Sequence, residues 1–278
     1  MKLSVGDLDA TAETLLIPLS ARVLAPELNP DLGFRDPMAE ALFERLDADP
    51  RRFAGDRASM RGSIVRARWF DRIVSDFLLR HSDGLIVSMG SGLDARAQRL
   101  GYAPEGEGRW CDIDMAPVVA LRHSLLAPVN GVADLTADLN DVSWLARLPW
   151  QAGQPALFLA EGVTMYLEPQ GAEGLIRAIG DAADERHSPI ELAFDYASPW
   201  MVRNARRHPS VRKTGAVFRW ALGRPGDLLK IDAQLRVGQQ IDITAASGFV
   251  PALMGKIHRV ITGREIYACL SLSRPTKP

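Results

Sequence analysis

Two cysteines in 278 residues leave little for a disulfide framework to work with, and no C-x-x-C or cysteine/histidine ligand spacing occurs, so a structural zinc site is not supported either. Cys111 and Cys269 both sit in apolar runs that read as strands, which implies buried thiols and suits a cytoplasmic protein. Net charge is almost absent too: 33 lysines and arginines against 34 acids give −1, so the chain as a whole offers no electrostatic reason for a nucleic-acid or membrane partner. No uninterrupted apolar run reaches membrane-spanning length, and the first residues lack a basic segment, apolar core and cleavage site in sequence. The expectation is a protein neither secreted nor membrane-inserted. Internal repeats, low-complexity tracts and linkers are missing as well. With 47% hydrophobic and 24% charged residues, the chain reads as one large soluble α/β domain with additions; nothing in it speaks to oligomeric state.

What is present is concentrated between Leu85 and Leu100. Leu85, Ile86, Val87 and Met89 form a short apolar strand, Gly90 and Gly92 break it, and an Ala/Arg/Leu helical pattern follows. Glycine suits such a turn because it accepts positive φ and lets a ligand approach bare backbone. Gly90-Ser91-Gly92-Leu93-Asp94-Ala95 fits the looser G-x-G-x-x-A dinucleotide fingerprint, which by itself names a fold and not a nucleotide. That fingerprint asks for an acid about 20 residues on, at the tip of the next strand, to take ribose hydroxyls. Either Asp112 or Asp114 can serve.

The residues before about Ser82 read as helices: Thr14 to Leu24 with a kink or restart at Pro18, Met38 to Leu46 behind Asp36-Pro37, and a helix from about Ser63 bearing Arg66, Arg68 and Arg72, with Arg61 beside it. Those arginines read mainly as a solvated face. Strands are then expected at Gly108 to Asp114, Val129 to Ala133, Pro155 to Ala160 and Ser188 to Ala197, alternating with helices. Ser198 to Asp232 interrupts the alternation with an arginine-rich stretch, read as a cap over the pocket. Leu235 to Ile243 and Ile266 to Ser273 are the last strands, separated by a short helix-like piece and a loop. The predicted fold is a doubly wound, mostly parallel, seven-stranded Rossmann-like sheet. Its parts are a helical extension (1–82), the nucleotide-binding core (83–197), a cap insertion (198–232) and the closing strands (233–278).

Four segments in this order, Gly90-Ser-Gly-Leu-Asp-Ala-Arg, Trp110-Cys-Asp-Ile-Asp114, Asp138-Leu139 and Ala160-Glu161-Gly-Val-Thr-Met-Tyr166-Leu, resemble the leucine carboxyl methyltransferase family, which includes polyketide O-methyltransferases of the tetracenomycin type. The likeness runs from about Thr11 to Leu167 and weakens after Ala197. It implies a class I fold using S-adenosylmethionine. It further implies that Arg66 pairs with the cofactor's methionine carboxylate and that the Gly90-Ser91-Gly92 backbone lies against methionine and ribose. Asp114 would take the ribose hydroxyls, Asp138 and Leu139 would bracket adenine, and Glu161 would lie nearest the transferring methyl. Ala95 stands where relatives often carry threonine, and Ser91 where alanine or cysteine is usual; both are small enough for the turn.

Methyl transfer from a sulfonium is an in-line displacement that needs positioning and water exclusion more than acid-base machinery. No His-Asp pair stands out as a base, and an arginine-rich cap favours an anion through charge-assisted hydrogen bonds. The expected acceptor is therefore a small molecule bearing a carboxylate, or a phenolic hydroxyl, in natural-product metabolism. Candidate acceptor-binding residues are Arg203, Arg207 and Arg212. Candidate catalytic residues are Glu161, Tyr166, which either orients the acceptor or packs under the sheet edge, and His208. No metal is expected. A nicotinamide-dependent oxidoreductase and a non-catalytic S-adenosylmethionine-binding protein are the competing readings.

Overall fold

The computed structural model describes residues 12–104, 109–207, 211–212 and 216–276. The apolar runs form seven strands: β1 (Leu85–Met89), β2 (Arg109–Asp114), β3 (Val132–Thr136), β4 (Ala156–Ala160), β5 (Ile190–Ala197), β6 (Arg236–Asp242) and β7 (Tyr267–Arg274). They build one sheet in the order β3-β2-β1-β4-β5-β7-β6. The first five are parallel, and β7 runs antiparallel to both β5 and β6. Strands β1 and β4 are buried at every position, as central strands covered on both faces must be. Leu85, Val87 and Met89 point into one core, and Ile86 into the other. Cys111 and Cys269 are buried free thiols in these two different cores.

The helices are α1 (Leu16–Leu28), α2 (Pro37–Arg45), α3 (Arg57–Arg80), α4 (Arg96–Arg99), α5 (Ala116–Leu125), α6 (Pro169–Glu185), α7 (Pro199–Asn204), α8 (Ile243–Ala246) and α9 (Phe249–Thr262). Asp56 caps α3, accepting from Ser59 N at 3.2 Å, so that helix starts six residues earlier than the apolar stripe predicts. Its Phe70, Val74 and Phe77 pack under Ile86, Trp110 and Leu157. A third core, among Leu16, Leu19, Phe43, Met60, Ile64, Leu93 and Val118, ties α1 and α2 to α3, α5 and the turn after β1.

Pro18 lies in the first turn of α1, directly behind a 3-10 turn at Ala12–Leu15, and the predicted loop after Phe249 is instead a 14-residue helix. Each proline lies in a first helical turn, where its missing N–H breaks no intrahelical bond. Strand β3 also starts three residues later than expected, at Val132. Among the described residues, no helix is long and apolar enough to cross a membrane.

Candidate active site

Beyond the carboxyl ends of β1, β2 and β4 lies a cavity of about 1100 Å³, at or slightly above the upper end of ordinary ligand pockets. One end is built by the glycine turn. Gly90 has φ +64°, and a Cβ there would meet Val163 Cγ2 at 2.5 Å, so the bare backbone is a requirement of the turn. Gly92 has φ +54° and donates its N–H to Asp114 Oδ2 at 2.7 Å, while Met115 N donates to Oδ1 at 2.8 Å. Asp114 is thus fixed at the end of β2 on the cavity wall, and a carboxylate with two oxygens still has acceptor capacity for hydroxyls. Ser91, Asp138 and Leu139 line the same end; Asp138 Oδ1 accepts from Asn140 N and Nδ2, both at 2.9 Å, and Leu139 is buried in the core.

Asp112 does not reach this wall. Its buried carboxylate is taken by Arg122 and by Trp110 Nε1 at 2.9 Å, and burial, only partly countered by Arg122, pushes its pKa up to about 6. Strand alternation puts both on one face, so position along the strand makes the split: only Asp114 sits at its end. We expect Asp114→Ala to weaken S-adenosylmethionine binding about tenfold or more with little change in melting temperature. Asp112→Ala should do the reverse, because Arg122 loses a buried partner. Calorimetry and thermal melts on both variants decide; equal cofactor losses would refute the assignment.

Around Glu161 the side chains form a buried ionic network. Glu161, just past β4, accepts from Arg66 Nε at 3.1 Å and from Arg96 Nη2, with Arg22 Nη2 3.6 Å away. Burial alone would raise its pKa, but Arg96, Arg66 and Arg22 outweigh burial and hold it below the usual carboxylate range. Arg66 also donates to Asp195 Oδ2 at 2.9 Å and to the Tyr267 hydroxyl, which itself donates to Asp195. The sheet register makes this arrangement: Ala160 pairs with Phe194, setting Glu161 beside Asp195, and Tyr267 lies opposite Ala197 on the face Asp195 shares. Gly162 (φ +73°) donates its N–H to Asp195 Oδ1 at 2.7 Å. Asp94 joins the network through Arg22 at 2.6 Å, Arg96 at 2.8 Å and Arg99 at 3.0 Å.

Arg22, Arg96 and Tyr267 line the cavity, and sequence reasoning missed all three, together with Asp195 behind them. Arg22 carried a readable signal, since it interrupts the apolar pattern of Leu19, Val23 and Leu24. Its Nε is buried and has no partner among the described residues. An unpaired buried donor beside the Gly90 cradle is what a pocket for an anionic ligand group requires. The residues therefore fit S-adenosylmethionine: Arg66 and Arg22 for the carboxylate, Gly90 to Gly92 for close backbone approach, Asp114 for the ribose, Leu139 for the base.

The other end is lined from α1, α3, the cap, α8 and α9, including Ile17, Tyr166, Trp200, Met201, Phe218 and Met254. Tyr166 packs edge-on against Phe218, ring centroids 5.2 Å apart, and burial pushes its hydroxyl pKa up to about 12. Arg207 lines this end. Arg203 and Arg212 do not; they are exposed and turned elsewhere, because only some faces of the short cap helices meet the cavity. Arg219, not singled out from sequence, lines it while paired with Glu168. His208 lies outside the described residues. Arg68 and Arg72 are the solvated face foreseen, whereas Arg61 is half-buried between Asp31 and the Ala246 carbonyl.

Residues 14–180 match the family model described as leucine carboxyl methyltransferase. The Streptomyces glaucescens tetracenomycin polyketide synthesis O-methyltransferase TcmP is 36% identical over 231 residues, covering 82% of this chain and 81% of the relative. A Gibberella zeae S-adenosyl-L-methionine-dependent methyltransferase, dpfgK, is 30% identical over 236 residues, covering 80% and 78%. Among solved structures, a DUF574-family protein from Streptomyces avermitilis superposes with a TM-score of 0.53 at 16% identity, covering 92% of this chain and 97% of its own; it speaks to the fold alone.

Proposed function

Because the chain belongs to the leucine carboxyl methyltransferase family and is an S-adenosylmethionine-dependent methyltransferase, we propose that it methylates the carboxylate of a small, largely apolar acid in natural-product metabolism. With the family shown, the nicotinamide oxidoreductase reading falls away. The observation that carries the proposal is the chemistry of the acceptor end. It presents guanidinium groups and apolar rings, and among the described lining residues it holds no histidine. Glu161 is held ionised by three arginines and makes a poor proton acceptor. Tyr166, its pKa raised to about 12, is a neutral donor at physiological pH. A carboxylic acid, with a pKa of about 4, is already ionised and needs no base, whereas a phenol near about 10 does. The name of the Streptomyces relative supports a polyketide-like acceptor.

S-adenosylmethionine supplies an electrophilic methyl carbon on a sulfonium. The protein's part is placement. Glu161, clamped by Arg66, Arg96 and Arg22, sets a fixed negative charge beside the glycine turn. Tyr166 and Arg207 are proposed to hold the acceptor carboxylate, one as a neutral and one as a charged donor. The apolar rings around them exclude water and orient the acceptor's body, which raises the fraction of bound pairs in line for displacement.

The test is transfer of labelled methyl from S-adenosylmethionine to matched aromatic acids and phenols. Methyl esters are expected, with kcat flat between about pH 6 and 9, since the acceptor is ionised throughout. Exclusive labelling of phenols, or a kcat that climbs with the acceptor's hydroxyl pKa, would overturn the carboxylate reading and leave the methyltransferase standing.

A further inference from the structure

Helix α9 is built inside out for a surface helix. Its Gly255 is buried, while Phe249, Val250, Leu253, Met254, Ile257, Val260 and Ile261 face outward. Phe249 is 83% exposed, Val260 80% and Ile261 77%, so both ends of the helix stand proud of the surface. At about 100° of turn per residue these seven side chains fall within one arc of roughly 140°, which contains no polar residue. Exposed apolar area of this continuity marks an interaction face.

The surroundings of the ridge are cationic. Lys256 flanks the arc and is exposed, while Arg259 on the same helix is paired with Asp242 at 2.6 Å. Trp200 of α7 contacts His258 of α9, ring centroids 5.7 Å apart, which brings the exposed Arg203, Arg206 and Arg207 beside the helix. From Ser198 to Arg264 the chain carries twelve lysines and arginines but only three acids, although the whole chain balances 33 against 34. The near-neutral total thus conceals a cation-rich segment, in which Arg219, Lys230 and Arg259 are paired with Glu168, Asp227 and Asp242 and Arg203, Arg206, Arg207 and Lys256 are exposed. Pro251 and Met254 of α9 also line the cavity, alongside Trp200, Asn204 and Arg207, so the ridge borders the acceptor end of the pocket.

We infer that α9 lies in the interface of an anionic lipid surface and seats the enzyme with its acceptor end turned toward the bilayer. A second copy of the chain would set these exposed cations against their own copies. A lipid plane carrying negative headgroups matches both the apolar ridge and its cationic flanks, and a helix proud at both ends enters such a plane lying flat. The seating gives an apolar acid partitioned in the membrane a short path to the pocket. That consequence rests on the acceptor class proposed above; the seating itself does not.

The test is co-sedimentation of the full chain with vesicles of phosphatidylcholine alone and of phosphatidylcholine with an equal part of phosphatidylglycerol. Binding to the anionic vesicles is expected to be about tenfold tighter or more and to weaken as salt rises. Phe249→Ser/Val260→Ser/Ile261→Ser should abolish it while melting temperature and S-adenosylmethionine affinity stay unchanged, which separates this inference from the methyltransferase reading. No binding, equal binding to neutral vesicles, or binding indifferent to the triple substitution would overturn it. So would a lipid-free dimer that the triple substitution disperses, or capture of a purified acidic carrier domain without vesicle binding.

Discussion

Arg66→Met is expected to lower folding stability by about 3–5 kcal/mol at neutral pH and to abolish measurable S-adenosylmethionine binding. The stability loss follows from what the guanidinium leaves behind. Glu161 keeps Arg96 and Arg22, but Asp195, completely buried, keeps only the Gly162 N–H and the Tyr267 hydroxyl. Burial already raises the Asp195 pKa, with Arg66 as the main opposing influence, so removing Arg66 raises it further. A carboxyl whose folded pKa lies above its unfolded value near 3.8 adds stability below that value and loses it as pH rises through the folded pKa. The deficit of the variant should accordingly be large at pH 8 and shrink toward pH 5. Urea unfolding at both pH values measures it. Arg66→Lys should fail in binding also, since an ammonium cannot reproduce bonds to Glu161, Asp195 and Tyr267 in one plane. A pH-independent loss below 1 kcal/mol, with binding intact, would show that Arg66 is neither a structural nor a cofactor residue.

The sheet and the glycine-turn wall of the cavity were legible because their signals are local. A strand broken by Gly90 and Gly92 followed by an acid at a strand tip needs only a short window, and the structure places Gly90, Ser91, Gly92, Asp114, Asp138 and Leu139 on one wall. The choice between Asp112 and Asp114 was not local, since both lie on the same strand face and only the strand's end decides. Arg22, Arg96, Asp195 and Tyr267 come from four elements scattered over most of the chain and meet only through sheet register and the packing of α1 and α3. The Arg61-to-Arg72 run illustrates the limit from the other side: charge pattern foresaw a solvated face, and only the resemblance singled out Arg66. In the cap, composition foretold cations but not orientation, so Arg207 reaches the cavity while Arg203 and Arg212 do not. Helix α9 was missed because its apolar arc faces outward, a pattern that a segment read as a loop does not bring out, and its start at Phe249 shows only in the fold.

Glu161→Gln should cost about 1–3 kcal/mol at pH 7, because an amide replaces the charged acceptor shared by Arg66, Arg96 and Arg22 inside the protein. None of the three arginines is left without an anion: Arg66 retains Asp195, Arg96 retains Asp71 and Asp94, and Arg22 retains Asp94. What is lost is the charge balance at the centre of the cluster. The sign of the pH dependence is opposite to that of Arg66→Met. Glu161 has a folded pKa below its ordinary 4.5, so its contribution is present above that value and disappears as pH falls through the folded pKa. Asp94 and Asp71 are depressed by the same arginines, and wild type should lose stability steeply on the acid side. The gap between wild type and Glu161→Gln is expected to be widest near pH 7 and to narrow as pH falls below 4.5, as wild type forfeits the same interaction by protonation. Parallel acid titrations followed by circular dichroism would display this convergence. Curves that stay equally separated from pH 7 to the acid transition would mean that Glu161 is not the anion holding the arginines together, and the cofactor end would need a different electrostatic account.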